Sequence, residues 1–235
     1  MATKNSATPA NRLLARLSAS DFALLERHLT PVDLPLRTRL EVPGKPIDYV
    51  YFPESGFASV VADGRSRRGI EVGLIGREGM TGLAIVMGSD RTLHETYMQS
   101  AGQGQRISAG KFRKALEQSG SLHQTFLLYG HAFVMQATYT AMANGRSKIE
   151  ERLARWLLMA QDRINADRLT LTHEFLSLML GVRRPGVTVA IKTLQNAGLV
   201  AANRGVITIL DRKGLEQISN GAYGPPEAEF QRLLG

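Results

Sequence analysis

The sequence contains no cysteine in 235 residues. Disulfides, thiolate zinc sites, cysteine nucleophiles and cysteine-bound iron–sulfur clusters are therefore excluded together. No uninterrupted apolar run approaches the roughly 18 residues of a membrane span, although 43% of the residues are hydrophobic, which is enough for a core. The opening stretch MATKNSATPANRLL has no apolar segment of signal-peptide length. We read a cytoplasmic protein, not bound to membrane, whose first dozen residues form a loose tail.

Histidine is scarce, with only His28, His94, His123, His131 and His173. His123 and His131 lie eight residues apart, not at the i, i+4 spacing of a chelating pair, and both read as structural. His94 is the one histidine of the β-rich region. An enzyme built on a cupin-like barrel needs clustered histidine and carboxylate ligands there, so it ranks last among the readings. No catalytic residue, metal ligand or cofactor is assigned. What the chain has in excess is positive charge, 29 Lys and Arg against 21 Asp and Glu, for a net +8. That balance favours a polyanionic partner.

Residues 12–29 read as helical, with Ser20 as the N-cap of the second half. Residues 32–107 hold repeated turn signals: Pro43-Gly44, Pro53-Glu54-Ser55-Gly56, Asp63-Gly64 and Gly102-Gln103-Gly104. Between them lie the short β-rich runs YVYF, FASVV, IEVGLI and TYMQSA. This spacing predicts a β-sandwich or barrel. Ser108 caps a short helix over 109–118.

From Leu122 to Ala143 there is no proline and a single glycine, Gly130. Two apolar stripes run along this segment. One is Leu122, Phe126, Tyr129 and Phe133; the other is Leu128, Ala132, Met135, Tyr139 and Met142. The second stripe suits either an ordinary core helix or a helix packed on a second copy of itself, and the latter is favoured. Asn144-Gly145 ends the helix and marks a hinge. Residues 147–164 form a further helix, with Ile149, Leu153, Trp156, Leu157, Ala160 and Ile164 on one face.

Thr172 then caps a short helix, HEFLSLML, which Gly181 ends. The stretch GVRRPGVTVAIKTLQNAGLV follows. At about 100° per residue, Val187, Ala190, Ile191 and Leu194 fall on one side, while Pro185, Thr188, Val189, Lys192 and Asn196 fall on the other. Arg183 and Arg184 stand at the N-terminal tip, where the helix dipole disfavours cations unless an external anion offsets them. LVAANRGVITIL reads as a hairpin turning at Asn203-Arg204-Gly205, and Asp211 caps a last short helix. A short helix, a glycine turn, a second helix and a hairpin make a winged helix-turn-helix.

Its expected contacts with double-stranded DNA are Thr172, Arg183, Arg184, Pro185, Gly186, Thr188, Val189, Lys192 and Arg204. Arginine at the tip can grip phosphate or pair with guanine. Pro185 suits a first turn that needs no N–H, and Gly186 would let the backbone approach a phosphate. The other reading is a small-molecule-binding module that contacts DNA incidentally.

These motifs resemble, in order and over nearly the whole chain, the catabolite-activator (Crp/Fnr) family of bacterial transcription regulators. YVYFPESGFASVV and VGLIGREGMTGLAIVMG are similar to its N-terminal β-roll. EERLARWLL and LTHEFLSLMLGVRRPGVTVAIKTLQNAGLV are similar to its DNA-binding domain. The resemblance implies an α+β chain: a β-roll sensor over 1–120, a central dimerisation helix and hinge over 121–145, and a winged helix-turn-helix over 146–235. It implies a homodimer on a two-fold-related site, with RNA polymerase as a further partner.

By position, Arg184 matches the family's base-reading arginine. Pro185 stands where many members have glutamate, and Val189 where many have a second basic residue. An effector pocket would fall at Met80, Thr81, Gly82 and Leu83 with Arg91 and Thr92. The family's Gly-Glu pair is replaced there by Thr81-Gly82, so a small-molecule effector other than a cyclic nucleotide is expected.

Overall fold

Short apolar runs punctuated by turn glycines build the N-terminal half of the computed structural model, which describes residues 9–63, 69–164 and 166–235. Helices α1 (Arg12–Ala15) and α2 (Ala19–Glu26) precede strands β1 (Thr30–Leu34), β2 (Arg39–Glu41), β3 (Tyr49–Pro53), β4 (Phe57–Ala62) and β5 (Ile70–Ile75). A one-turn helix α3 (Leu83–Val86) leads to β6 (His94–Ser100) and β7 (Gly102–Ser108). Helices α4 (Ala109–Gln118), α5 (Gly120–Arg146) and α6 (Ile149–Ile164) follow. The chain then runs through β8 (Arg168–Thr170), α7 (His173–Leu180), α8 (Arg184–Asn196), β9 (Val200–Asn203), β10 (Val206–Ile209), α9 (Arg212–Ile218) and α10 (Pro225–Leu234). The architecture is α+β: a sheet-rich N-terminal domain, a long central helix and a C-terminal helix-turn-helix.

Two antiparallel sheets, β1-β7-β3 and β2-β6-β4-β5, enclose a core of Leu34, Leu40, Ala58, Val60, Ile75 and Met98. Strand β4 is buried on both faces, as an uninterrupted FASVV run requires. Its outer face, with that of β5, meets the C-terminal domain: Phe57, Val61 and Leu74 share one cluster with Trp156, Leu176, Val187 and Leu194. On the solvent edge of β5, the Gln136 side-chain amide of α5 replaces a neighbouring strand, accepting from Leu74 N–H at 2.6 Å and donating to its carbonyl at 3.3 Å.

Several boundaries differ from the sequence reading. The N-terminal tail is tied down earlier than expected. Asn11 is fully buried, its amide donates to the Pro53 and Gly79 carbonyls, and its Oδ1 caps α1. The rest of that tail, residues 1–8, and Gly64 of the predicted Asp63-Gly64 turn lie outside the described residues. Ser18, not Ser20, caps α2, accepting from Asp21 N–H at 3.1 Å.

Gly102-Gln103-Gly104 is strand rather than turn. Side chains at Gly102 and Gly104 would stand 2.0 Å from the Ser55 carbonyl oxygen and 2.4 Å from that of Phe52, so these glycines serve close strand approach. Helix α5 continues through Asn144 and Gly145, and the break to α6 falls at Ser147, whose backbone is extended. Gly145 is exposed with open space around it, and Asn144-Gly145, the predicted hinge, is helical. The helix α10 has no counterpart in the sequence reading.

One polar group is sealed where sheet meets helix. Glu71 on β5 accepts from Trp156 Nε1 at 2.6 Å and from Ser59 Oγ at 2.5 Å. Burial outweighs these bonds and pushes its carboxyl from 4.5 up to about 7. Folding therefore takes up a proton here. The associated stabilisation is complete below about pH 4.5 and is lost as pH rises through about 7, amounting to about 3 kcal/mol. Glu71→Gln keeps an acceptor but cannot titrate. Chemical denaturation at about pH 5 and about pH 8 should show wild type losing about 2–3 kcal/mol relative to the variant across that interval; parallel pH profiles would contradict the assignment.

Candidate nucleic-acid interface

Helix α7 begins at Thr172, whose hydroxyl accepts from Phe175 N–H at 3.1 Å, and ends at Gly181 with φ 60°. That left-handed residue, cheap for glycine, turns the chain into α8. The split predicted for α8 is present. Val187, Ala190, Ile191 and Leu194 are buried, while Arg183, Arg184, Pro185, Val189 and Lys192 are exposed. Val189 is 64% exposed although apolar, so its outward place comes from helix phase.

The N-terminus of α8 has no acidic residue in its first turn and no side-chain cap. Pro185 has no N–H and Gly186 N–H donates to the Arg183 carbonyl at 2.9 Å, so the attraction for an anion comes from the helix dipole and two exposed guanidinium groups. Arg184 is held for the present by Glu174 at 2.9 Å, but both side chains are more than half exposed, so the pair is weak.

Strands β9 and β10 pair in register from Val206↔Asn203 to Ile209↔Val200. Their two-residue turn is Arg204-Gly205, with φ 44° and 81°. Positive φ at both positions is the turn that matches strand twist, and it sets Arg204 exposed at the tip. The predicted hairpin gains β8 as a third strand, in the order β8-β10-β9. Between α8 and the hairpin lies a groove of about 180 Å³ lined by His173, Thr188, Lys192, Gln195, Asn203 and Arg204. The sequence reading missed His173, Gln195 and Asn203. Gln195 stands one turn beyond Lys192 and was legible from phase alone. His173, whose Nδ1 lies 3.2 Å from the Thr188 hydroxyl, was not, because that contact joins two helices.

Gly186 has a packing role that the sequence reading did not give it. A side chain there would meet Ile149 at 3.1 Å. Its smallness lets α8 sit against α6.

The expected effector residues do not form an open pocket. Met80 and Thr81 are fully buried. Thr81 is built into β3, its N–H donating to the Tyr51 carbonyl at 2.9 Å and its hydroxyl accepting from Tyr51 N–H at 3.0 Å. Gly82 N–H donates to Glu41 of β2 at 3.0 Å, and Thr96 donates to the same carboxylate at 2.5 Å. Burial raises the Glu41 pKa above its ordinary value. Leu83 packs into the apolar core. Arg91 is exposed and paired with Asp90 at 3.3 Å, and Thr92 hydrogen-bonds His94, so neither joins Met80–Leu83. Among the described residues no cluster of three His, Asp or Glu could hold a metal, and no helix is long and apolar enough to cross a membrane.

The residues of the expected dimerisation stripe differ in exposure. Ala132 is buried within the chain, Leu128 packs against the core that contains Leu234 of α10, and Met135 and Tyr139 are half-buried. Only Met142 is mainly exposed, at 38%. Helix α10 packs on α5, and its Glu229 lies 3.5 Å from His131. The solvent-facing line is displaced by one residue throughout, to Leu127, His131, Val134, Thr138 and Ala141, all exposed. One residue is about 100° around a helix.

No curated protein sequence matches the chain. Residues 151–218 match the Crp-like helix-turn-helix domain. Among solved structures, a transcriptional regulator assigned to the Crp/Fnr family from Eubacterium rectale is 20% identical, with a TM-score of 0.71, over 89% of this chain and 98% of that one. FixK2 from Bradyrhizobium japonicum is 16% identical, TM-score 0.70, over 81% and 96%. The c-di-GMP-responsive regulator CLP of Xanthomonas campestris is 18% identical, TM-score 0.68, over 83% and 100%. The chain thus carries a Crp-like helix-turn-helix domain over residues 151–218 and has the fold of the Crp/Fnr transcriptional regulators.

Proposed function

We propose that the protein is a transcriptional regulator that binds double-stranded DNA as a homodimer, inserting the N-terminal part of α8 into the major groove. The observation that carries this reading is the division of α8: a sealed apolar inner face, and an outer face with two exposed arginines at the positive end of the helix dipole. Arg184, Thr188 and Lys192 are the side chains placed to reach base edges. Arg183, Arg204 and the start of α7 at Thr172 act on the phosphate backbone. Residues 1–120, 121–145 and 146–235 serve as sensor, dimerisation helix and DNA-binding domain, and RNA polymerase is the protein partner that the resemblance implies.

Dimerisation is assigned to the exposed line on α5. Leu127, His131, Val134, Thr138 and Ala141 follow the alternating four-and-three spacing of a coiled-coil seam. Leu127 and Val134 are 44% and 46% exposed, two large apolar side chains seven residues apart on one side of the helix.

On a fragment selected from random genomic DNA, Arg184→Ala should cost about 1–3 kcal/mol and relax sequence preference. Arg204→Ala should weaken all sequences alike and flatten the salt dependence by about one ion. Equal losses on every sequence for both variants would demote Arg184 to a phosphate contact. Glu174→Gln should instead raise affinity a few-fold, since it frees Arg184 and removes a negative charge. By sedimentation, a Leu127→Glu/Val134→Glu double variant should be a monomer where wild type is a dimer. Unchanged mass for the two proteins would remove α5 as the interface.

A further inference from the structure

A cavity of about 630 Å³ lies where α5, the C-terminal end of α6 and α10 meet. Its size is that of a small-molecule site. Aromatic walls come from Tyr129, Phe133, Tyr223 and Phe230, and Arg12 and Arg77 stand together on its lining. These two arginines are joined at the backbone, Arg12 N–H donating to the Arg77 carbonyl at 2.6 Å.

The acids of the lining are committed within the chain. Glu78 pairs with Arg163 at 2.8 Å and Asp162 with Arg212 at 2.9 Å. Asp167 accepts from Gln161 at 2.7 Å, and Glu227 accepts from Gly224 N–H at 2.7 Å. The side chains of Arg12 and Arg77 have no such partner among the described residues. Two guanidinium groups on one wall without an internal counter-ion suit an anionic head group, carboxylate or phosphate, through charge-assisted hydrogen bonds.

We propose that this cavity binds a small aromatic anion, with Arg12 and Arg77 taking its carboxylate or phosphate head and Tyr129, Phe133 and Phe230 its ring. The occupant would touch the sensor half through α5 and the DNA-binding half through α6. The assignment stands apart from the DNA-binding reading, since the test below involves no DNA.

The probe is 1-anilinonaphthalene-8-sulfonate, an aromatic anion that fluoresces when shielded from water, titrated into the full chain. One saturable site per chain is expected, weakened about tenfold or more by Arg77→Gln and by Arg12→Gln, since each removes a charge-assisted bond. Arg12 is exposed, so its variant should fold normally even where Arg77→Gln fails, which circular dichroism checks. The neutral analogue N-phenyl-1-naphthylamine should bind wild type and variants equally and more weakly. Salicylate and phenyl phosphate then compete separately, and displacement by either supports the site and names the head group. Affinity unchanged in Arg12→Gln, tighter binding of the neutral analogue, or no displacement by either competitor would each overturn the proposal.

Discussion

The outer face of β4 and β5 cannot be left in water. Phe57, Val61 and Leu74 project there, and all three are buried against α6 and its neighbours. Burying such side chains contributes about 1.5–3 kcal/mol each, so the helices covering them are fixed parts of the fold. The first helix of the helix-turn-helix, α7, inherits its place from this sheet: Gly181 closes against Ile70, and Ser59 sits 3.8 Å from the Met179 sulfur. Trp156 fills the joint and its N–H satisfies Glu71. The orientation of α8 therefore follows from a core shared by both halves.

From that placement the electrostatics follow. With Val187 and Leu194 pinned inward, helix phase turns Arg184, Thr188 and Lys192 outward. Two arginines then sit at a positive helix end, a local arrangement that costs free energy in isolation. Glu174 offsets part of it across an exposed and therefore weak pair. A DNA phosphate or guanine edge can displace so weak a partner readily, which makes the pair a placeholder rather than a lock.

Much of this was legible in the sequence because it rests on short-range rules. Period and caps gave α7, α8 and the hairpin, since Thr172, Gly181 and Arg204-Gly205 act on their own neighbours. What the sequence hid depends on contacts distant in the chain. Gly102 and Gly104 look like turn residues until the Ser55 and Phe52 carbonyls are seen to lie against them. Gly186 shows its packing on Ile149 only in the folded chain. Glu41, forty-one positions from Gly82, closes the expected effector region. On α5 the most exposed line runs one residue from the stripe that periodicity favoured, and α10, read as no element at all, packs on the same helix. A long helix with apolar residues on several sides leaves its phase open, and only its neighbours settle which side stays free.

The central claim is that the cationic edge of α8 reads base edges while the rest of the domain holds it at the groove. Methylation interference combined with hydroxyl-radical footprinting on a selected fragment tests it most directly. The account predicts two protected patches on one face of the duplex, about one helical turn apart, each losing binding when guanine N7 is methylated. Backbone protection spread evenly along the fragment, indifferent to guanine methylation, would contradict it.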